Sequence, residues 1–189
     1  MLYRSDKPKK DDKYYVFKTG EGFVNGHSFV TKSQSYTGKF SVTSEMIRLY
    51  SGSSGTSGTY NPTGYINKTI DVTDYNRLYL KLSAHNAKIC VKLDASSSSA
   101  DVYSYTEVSP TFMYDCIGTA NDKRYSIATA AGDVDSSQYG VLMKGQYGMS
   151  YYDNVLLIDL RAFSGSKYIW IYGIGASQDN RITHIWLEK

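Results

Sequence analysis

The chain has 189 residues, 41% of them hydrophobic and 21% charged, which supplies one sizeable core at a length that all-β sandwiches reach without dividing. Its formal net charge is +3, part of it from Lys7, Lys9, Lys10 and Lys13, which stand beside Asp6, Asp11 and Asp12. That balance gives no electrostatic case for nucleic acid or an anionic membrane as the main partner, and no apolar run is as long as a transmembrane helix.

In chain order, residues 1–13 read as a flexible charged arm. Met1 to Asp6 lacks the apolar core of a secretory signal, which predicts a chain made and folded in a cytoplasm. From residue 14 onward, short apolar runs alternate with turn-formers. Segments 14–17, 23–30, 36–43, 46–50 and 68–72 are candidate strands, and 51–64, with Gly52, Gly55, Gly58, Pro62 and Gly64, is a surface loop. In 78–82, Leu78, Leu80 and Leu82 share one face. In 87–93, Ile89, Val91 and Leu93 do the same. Residues 83–86 between them read as a hairpin connection.

Residues 95–100 and 131–138 form polar loops around further candidate strands at 102–108, 124–129 and 139–144. The continuous apolar run 155–160 suits a central strand, and 168–172 and 181–187 close the chain with two more. Residues 71–76 and 161–164 fit single turns. Tyrosine, at 19 residues against 6 Phe and 2 Trp, suits half-buried pleated surfaces with a wet edge. The prediction is one all-β, antiparallel sandwich or barrel over residues 14–189.

Two segments carry a family likeness. Thr69-Ile70-Asp71-Val72-Thr73-Asp74-Tyr75-Asn76-Arg77-Leu78-Tyr79-Leu80 is one, and Ile158-Asp159-Leu160 with the aromatic strand 168–172 and the closing Trp186-Leu187-Glu188 is the other. Both resemble the galactose-binding-like jelly-roll β-sandwich. Modules of that kind occur as non-catalytic appendages of carbohydrate-active enzymes and in virion and tail proteins of bacteriophages. The opening 14–20, followed by Gly22 and Gly26, resembles the phage group. The resemblance implies a jelly roll, and such folds often hold a structural calcium.

Local catalytic signatures fail on spacing. No Gly-x-Ser-x-Gly or His-Glu-x-x-His occurs, and His27, His85 and His184 stand singly. Gly20, Gly22 and Gly26 miss the dinucleotide fingerprint by one residue and lead into no helix. Two acids distant in sequence that meet in space stay outside these tests. Asp133-x-Asp135-x-Ser137 puts oxygen ligands at alternate positions as calcium loops do. It lacks the glycine and the distant glutamate, so an acidic solvated loop is the competing reading. Cys90 and Cys116 read as buried thiols. Asn67-Lys68-Thr69 matches a glycosylation pattern only by chance in such a chain.

The aromatics are the remaining candidates. If Ile169 and Ile171 face the core, then Tyr168, Trp170 and Tyr172 form a ladder on the opposite face. Such a ladder serves as a sugar platform, a partner contact or the second face of a covered sheet. Tyr147, Tyr151 and Tyr152, beside Met143 and Met149, form a second surface or belong to the core. The leading expectation is a non-enzymatic bacteriophage virion component, capsid- or tail-associated and made in the host cytoplasm. It would be homo-oligomeric or docked on other virion proteins. The alternative is a carbohydrate-binding module for cell-wall or surface polysaccharide, and neither reading calls for a cofactor beyond the calcium.

Overall fold

The computed structural model describes residues 12–33, 38–51, 62–84, 88–98, 111–114, 125–127, 149–152, 155–161, 163–174 and 179–189. Among them all regular structure is β-strand, and no helix is long and apolar enough to cross a membrane. The early strands are β1 (Lys13–Lys18), β2 (Gly22–Phe23), β3 (Phe29–Ser33), β4 (Gly38–Val42), β5 (Ile47–Ser51), β6 (Thr63–Ile66) and β7 (Ile70–Asp71). The middle of the chain gives β8 (Arg77–Ala84), β9 (Lys88–Asp94), β10 (Thr111–Tyr114) and β11 (Tyr125–Ile127). The last are β12 (Met149–Tyr152), β13 (Val155–Asp159), β14 (Ser166–Ile174) and β15 (Asp179–Glu188).

These strands make an antiparallel jelly-roll sandwich. The first sheet runs β12-β13-β8-β15-β1-β2, with β5 also on β15 and β4 on β5. The second runs β11-β10-β9-β14-β6-β3, with β7 on β14. Leu78, Leu80 and Leu82 of β8 and Ile89, Val91 and Leu93 of β9 are fully or almost fully buried in one cluster. They belong to different sheets, so β8 and β9 do not pair as the hairpin expected across 83–86, and residues 85–87 lie outside the described residues. The physical reason is that each strand has one apolar face, and the two faces are covered by meeting across the sandwich. The same change of sheet recurs between β14 and β15, which lie in opposite sheets.

Other departures from the sequence pattern have local causes. Segment 23–30 is not one strand, because Asn25 (φ 56°) and Gly26 (φ 71°) take left-handed conformations. His27 N–H donates to the Val24 carbonyl at 3.1 Å, so these four residues close a turn with two positive-φ central positions. The run 155–160 is not uniformly buried: Leu156, Ile158 and Leu160 point inward while Val155 and Leu157 are half-exposed, since alternation turns those two to the outer face of the first sheet. β6 begins at Thr63, inside the expected loop 51–64, and β10 was given no strand by the pattern. β1 takes in Lys13, whose ammonium lies 3.6 Å from Glu188. The rest of the charged arm, residues 1–11, and the strand candidates 102–108 and 139–144 lie outside the described residues. Residues 71–76 and 161–164 do form turns, with Tyr75 N–H donating to Val72 and Phe163 N–H to Leu160.

Gly64 on β6 is the most tightly approached of the described glycines. A Cβ there would sit 2.3 Å from the Phe29 ring and 2.8 Å from the Val30 carbonyl oxygen, and Phe29 is itself packed on Phe40 at 4.7 Å between centroids. Neither the backbone oxygen nor the packed ring has room to retreat. Gly64→Ala is expected to destabilise the protein by about 1–3 kcal/mol through overpacking, read as a lowered urea midpoint at unchanged slope. An unchanged midpoint contradicts the packing described.

Candidate functional site

Each sheet carries an aromatic row on its outward face, and the two rows differ in access. In β14, Ile169 and Ile171 join the inter-sheet core while Trp170 and Tyr172 belong to a separate cluster with Tyr65 and Cys90, with Tyr168 against it. Pairing sets Trp170 between Tyr65 and Lys92. The Trp170 and Tyr65 rings are 4.6 Å apart, and Tyr168 meets Tyr65 edge-on at 5.4 Å. The indole N–H donates to the Ser96 carbonyl at 3.1 Å. Lys92 and Asp94 are buried on this face with their charged groups 3.5 Å apart. Trp170 and Tyr172 are 0% exposed, so of the ladder expected from sequence only Tyr168 meets solvent in this structure.

The half-exposed row is on the first sheet. Trp186 of β15 pairs with Tyr15 of β1 on one side and Tyr79 of β8 on the other, and Leu157 of β13 pairs with Tyr79 beyond it. All four side chains are half-exposed. The Tyr79 and Trp186 rings lie 4.7 Å apart with 3° between their planes. Rings that parallel and that close are stacked. Tyr15 continues the row at 6.2 Å, tilted by 34°. The Lys13 ammonium sits 5.4 Å from the indole centre, a cation–π distance.

Cross-strand pairing repeats on either side of this row. Lys13, Glu188, Arg77 and Asp159 follow one another across β1, β15, β8 and β13 with alternating charge. Trp186 Nε1 donates to Glu188 Oε1 at 2.9 Å, Arg77 Nη1 lies 3.4 Å from the Tyr79 hydroxyl, and Arg161 binds Asp159. Burial pushes the Glu188 carboxyl up, but the Trp186 indole N–H, the Tyr79 hydroxyl and the Lys13 ammonium outweigh it and hold it below its ordinary value. Arg161 holds the Asp159 carboxyl down against a smaller burial effect. On the other flank, Lys18, His184 and Lys81 are direct neighbours.

His184 faces outward, half-buried, because β15 shifts register between Ile182 and His184. Burial, then Lys81 and Lys18, lower its pKa. His27 is a different case: it is buried, its Nε2 lies 2.9 Å from the Tyr14 hydroxyl, and its Nδ1 has no partner among the described residues. Cys90 is fully buried. Asn67 uses its side-chain oxygen to accept from Ser28 N–H at 2.7 Å.

His85, Cys116, Asp133, Asp135, Met143 and Tyr147 lie outside the described residues, and Met149, Tyr151 and Tyr152 are described only as backbone of β12. Among the described residues no group of three or more His, Cys, Asp or Glu is placed to hold a metal ion.

No protein-family model matches the chain, and no curated protein matches it. Several solved structures are similar in fold. A native glycosidic hydrolase superposes with a TM-score of 0.50 at 8% identity, covering 93% of this chain and 94% of that one. The calcium- and Man3GlcNAc-bound exoplasmic/lumenal domain of VIP36 gives 0.49 at 13% identity, over 95% and 89%. The xylan-binding module CBM86 of Roseburia intestinalis gives 0.41 at 9% identity, over 86% and 94%. At such identities the likeness is one of fold alone.

Two measurements check this geometry. Trp170→Ala removes a fully buried indole and is expected to cost about 3–5 kcal/mol of stability; a loss under about 1 kcal/mol contradicts its burial. Beside the first row, Asp179 accepts from Arg181 Nε at 3.0 Å and from Arg48 Nε at 2.7 Å, and these two partners hold its carboxyl near about 2, against 3.8 ordinarily. A depressed carboxyl stabilises fully above its unfolded pKa and loses that contribution as pH falls through the folded one. Asp179→Asn is therefore expected to lower Tm at neutral pH, with the gap closing as pH falls from about 5 toward about 2. A gap that does not depend on pH contradicts the bridge.

Proposed function

We propose that the protein is a non-catalytic glycan-binding sandwich whose ligand lies along the Tyr15–Trp186–Tyr79 row of the first sheet. The observation that carries the reading is the state of that row: half-exposed, largely apolar and already locked. Stacking fixes Tyr79 against Trp186, and the indole N–H is tied to Glu188. Side chains that are ordered before binding lose little entropy when a ligand arrives. A saccharide has apolar C–H patches between hydroxyls. It matches an aromatic ridge flanked by Lys13, Glu188 and Arg77, which supply donors and acceptors.

Binding rather than hydrolysis is favoured by the carboxyls of this face. A glycosidase needs one acid whose pKa is raised. Glu188, Asp159 and Asp179 are all held below their ordinary values. A half-exposed aromatic row also fits a protein partner, and through such a contact a phage-particle component would dock. Copurification with particles, lost in Trp186→Ala, is the outcome that favours that partner over a sugar.

On a glycan array the purified protein is expected to bind a restricted set of saccharides. Trp186→Ala should weaken that binding by about thirtyfold or more, the loss typical of a central hot-spot side chain. Tyr168→Ala, on the other sheet, should leave it intact. Loss with Tyr168→Ala but not with Trp186→Ala overturns the placement, and an array without signal overturns the glycan reading.

A further inference from the structure

The two flanks of the aromatic row differ electrically. The Lys13–Glu188–Arg77–Asp159 flank alternates in sign and neutralises itself. The Lys18–His184–Lys81 flank brings three basic side chains into direct cross-strand pairing. Glu21 is hydrogen-bonded to Lys18. Lys81 is exposed and makes no ion pair among the described residues. The next groups along β15 and β5, Arg181 and Arg48, are both committed to Asp179.

The lowered pKa of His184, part of it owed to Lys81 and Lys18, is an internal sign of the same positive field. Its Nδ1 lies 3.2 Å from the Thr183 hydroxyl, so the imidazole is held at the surface beside the two ammonium groups. Successive rows on one face of a sheet are two residues apart, roughly 7 Å. An anionic group over the basic flank is therefore within one sugar ring's reach of the aromatic row.

We propose that the ligand of this face is an acidic glycan, with an anionic group over Lys18, His184 and Lys81 and its sugar rings along Tyr15, Trp186 and Tyr79. The proposal rests on the glycan reading above and deepens it by naming the ligand's charge. An anion over this flank lies within reach of both ammonium groups, and exposed charge–charge attraction of this kind weakens with salt.

The test uses the full chain with two probes, a polyuronate and the same polymer with its carboxyls methyl-esterified, so that only charge differs. The acid form is expected to bind about tenfold more tightly at low salt, a factor set by a few exposed charge contacts, and the preference should shrink as salt rises to about 0.5 M. In the Lys18→Gln/Lys81→Gln variant the acid form should bind no more tightly than the ester, while a thermal melt reports that the variant is folded. Equal affinity of the wild type for both polymers overturns the proposal. So does a preference that the double variant retains, or a protein that binds neutral array glycans and ignores the polyuronate. Those results leave the Trp186 platform standing, whereas an array without signal removes the platform reading as well.

Discussion

What the outward face of the first sheet can do depends on a pair of register shifts at its centre. Ile182 and Ile185 of β15 are both fully buried although they stand three positions apart, a spacing that strict alternation forbids. The extra residue is absorbed by the shift between Ile182 and His184, and β1 makes a matching shift between Tyr15 and Phe17. Val16 and Phe17 can then both enter the core. A bulge of this kind re-aims the side chains beyond it. From there to the end of the strand, His184, Trp186 and Glu188 all face outward, in line with Lys18, Tyr15 and Lys13. Without it either the isoleucines or the aromatic row would lie on the wrong side.

The sandwich supplies the rigid base for that arrangement. Apolar faces of β8, β13 and β15 in one sheet meet those of β9 and β14 in the other, and burial of so many aliphatic side chains is the main favourable term in such a fold. The second sheet adds a further buried layer on its far side, where Tyr65, Trp170 and Tyr172 gather over Cys90. That layer includes the Lys92–Asp94 pair. A buried pair of charges is weak evidence for stability, because leaving water offsets most of the attraction. Two tryptophans thus have opposite roles, one as packing and one as surface.

Much of the sandwich was legible in the sequence because period-two alternation is a local signal. It is clearest in 78–82, 89–93 and 168–172, and these positions face as the alternation says. Alternation cannot say which sheet a strand joins, and for that reason the 83–86 connection reads as a hairpin when β8 and β9 lie in different sheets. The ladder at Tyr168, Trp170 and Tyr172 has the orientation its pattern gives, but exposure is a property of what packs over a face, and no local pattern carries it. The row Tyr15–Trp186–Tyr79 was missed for a different reason. Its members are 64 and more residues apart in sequence for Tyr15 and Tyr79, and only the register of β1, β15 and β8 brings them together. A faint signal lies in the outward placement of Tyr79 and Lys81 on β8, and Ile185, out of step with Ile182, marks the bulge.

The account turns on which of the two tryptophans meets the ligand. Both indole N–H groups are hydrogen-bonded, Trp170 to Ser96 and Trp186 to Glu188, so each gives a separate, assignable signal in a proton–nitrogen NMR spectrum. Titration with a glycan that binds should shift the Trp186 indole signal in proportion to occupancy and leave the Trp170 signal in place. A shift confined to Trp170 would contradict the central claim that this face of the first sheet is the binding surface.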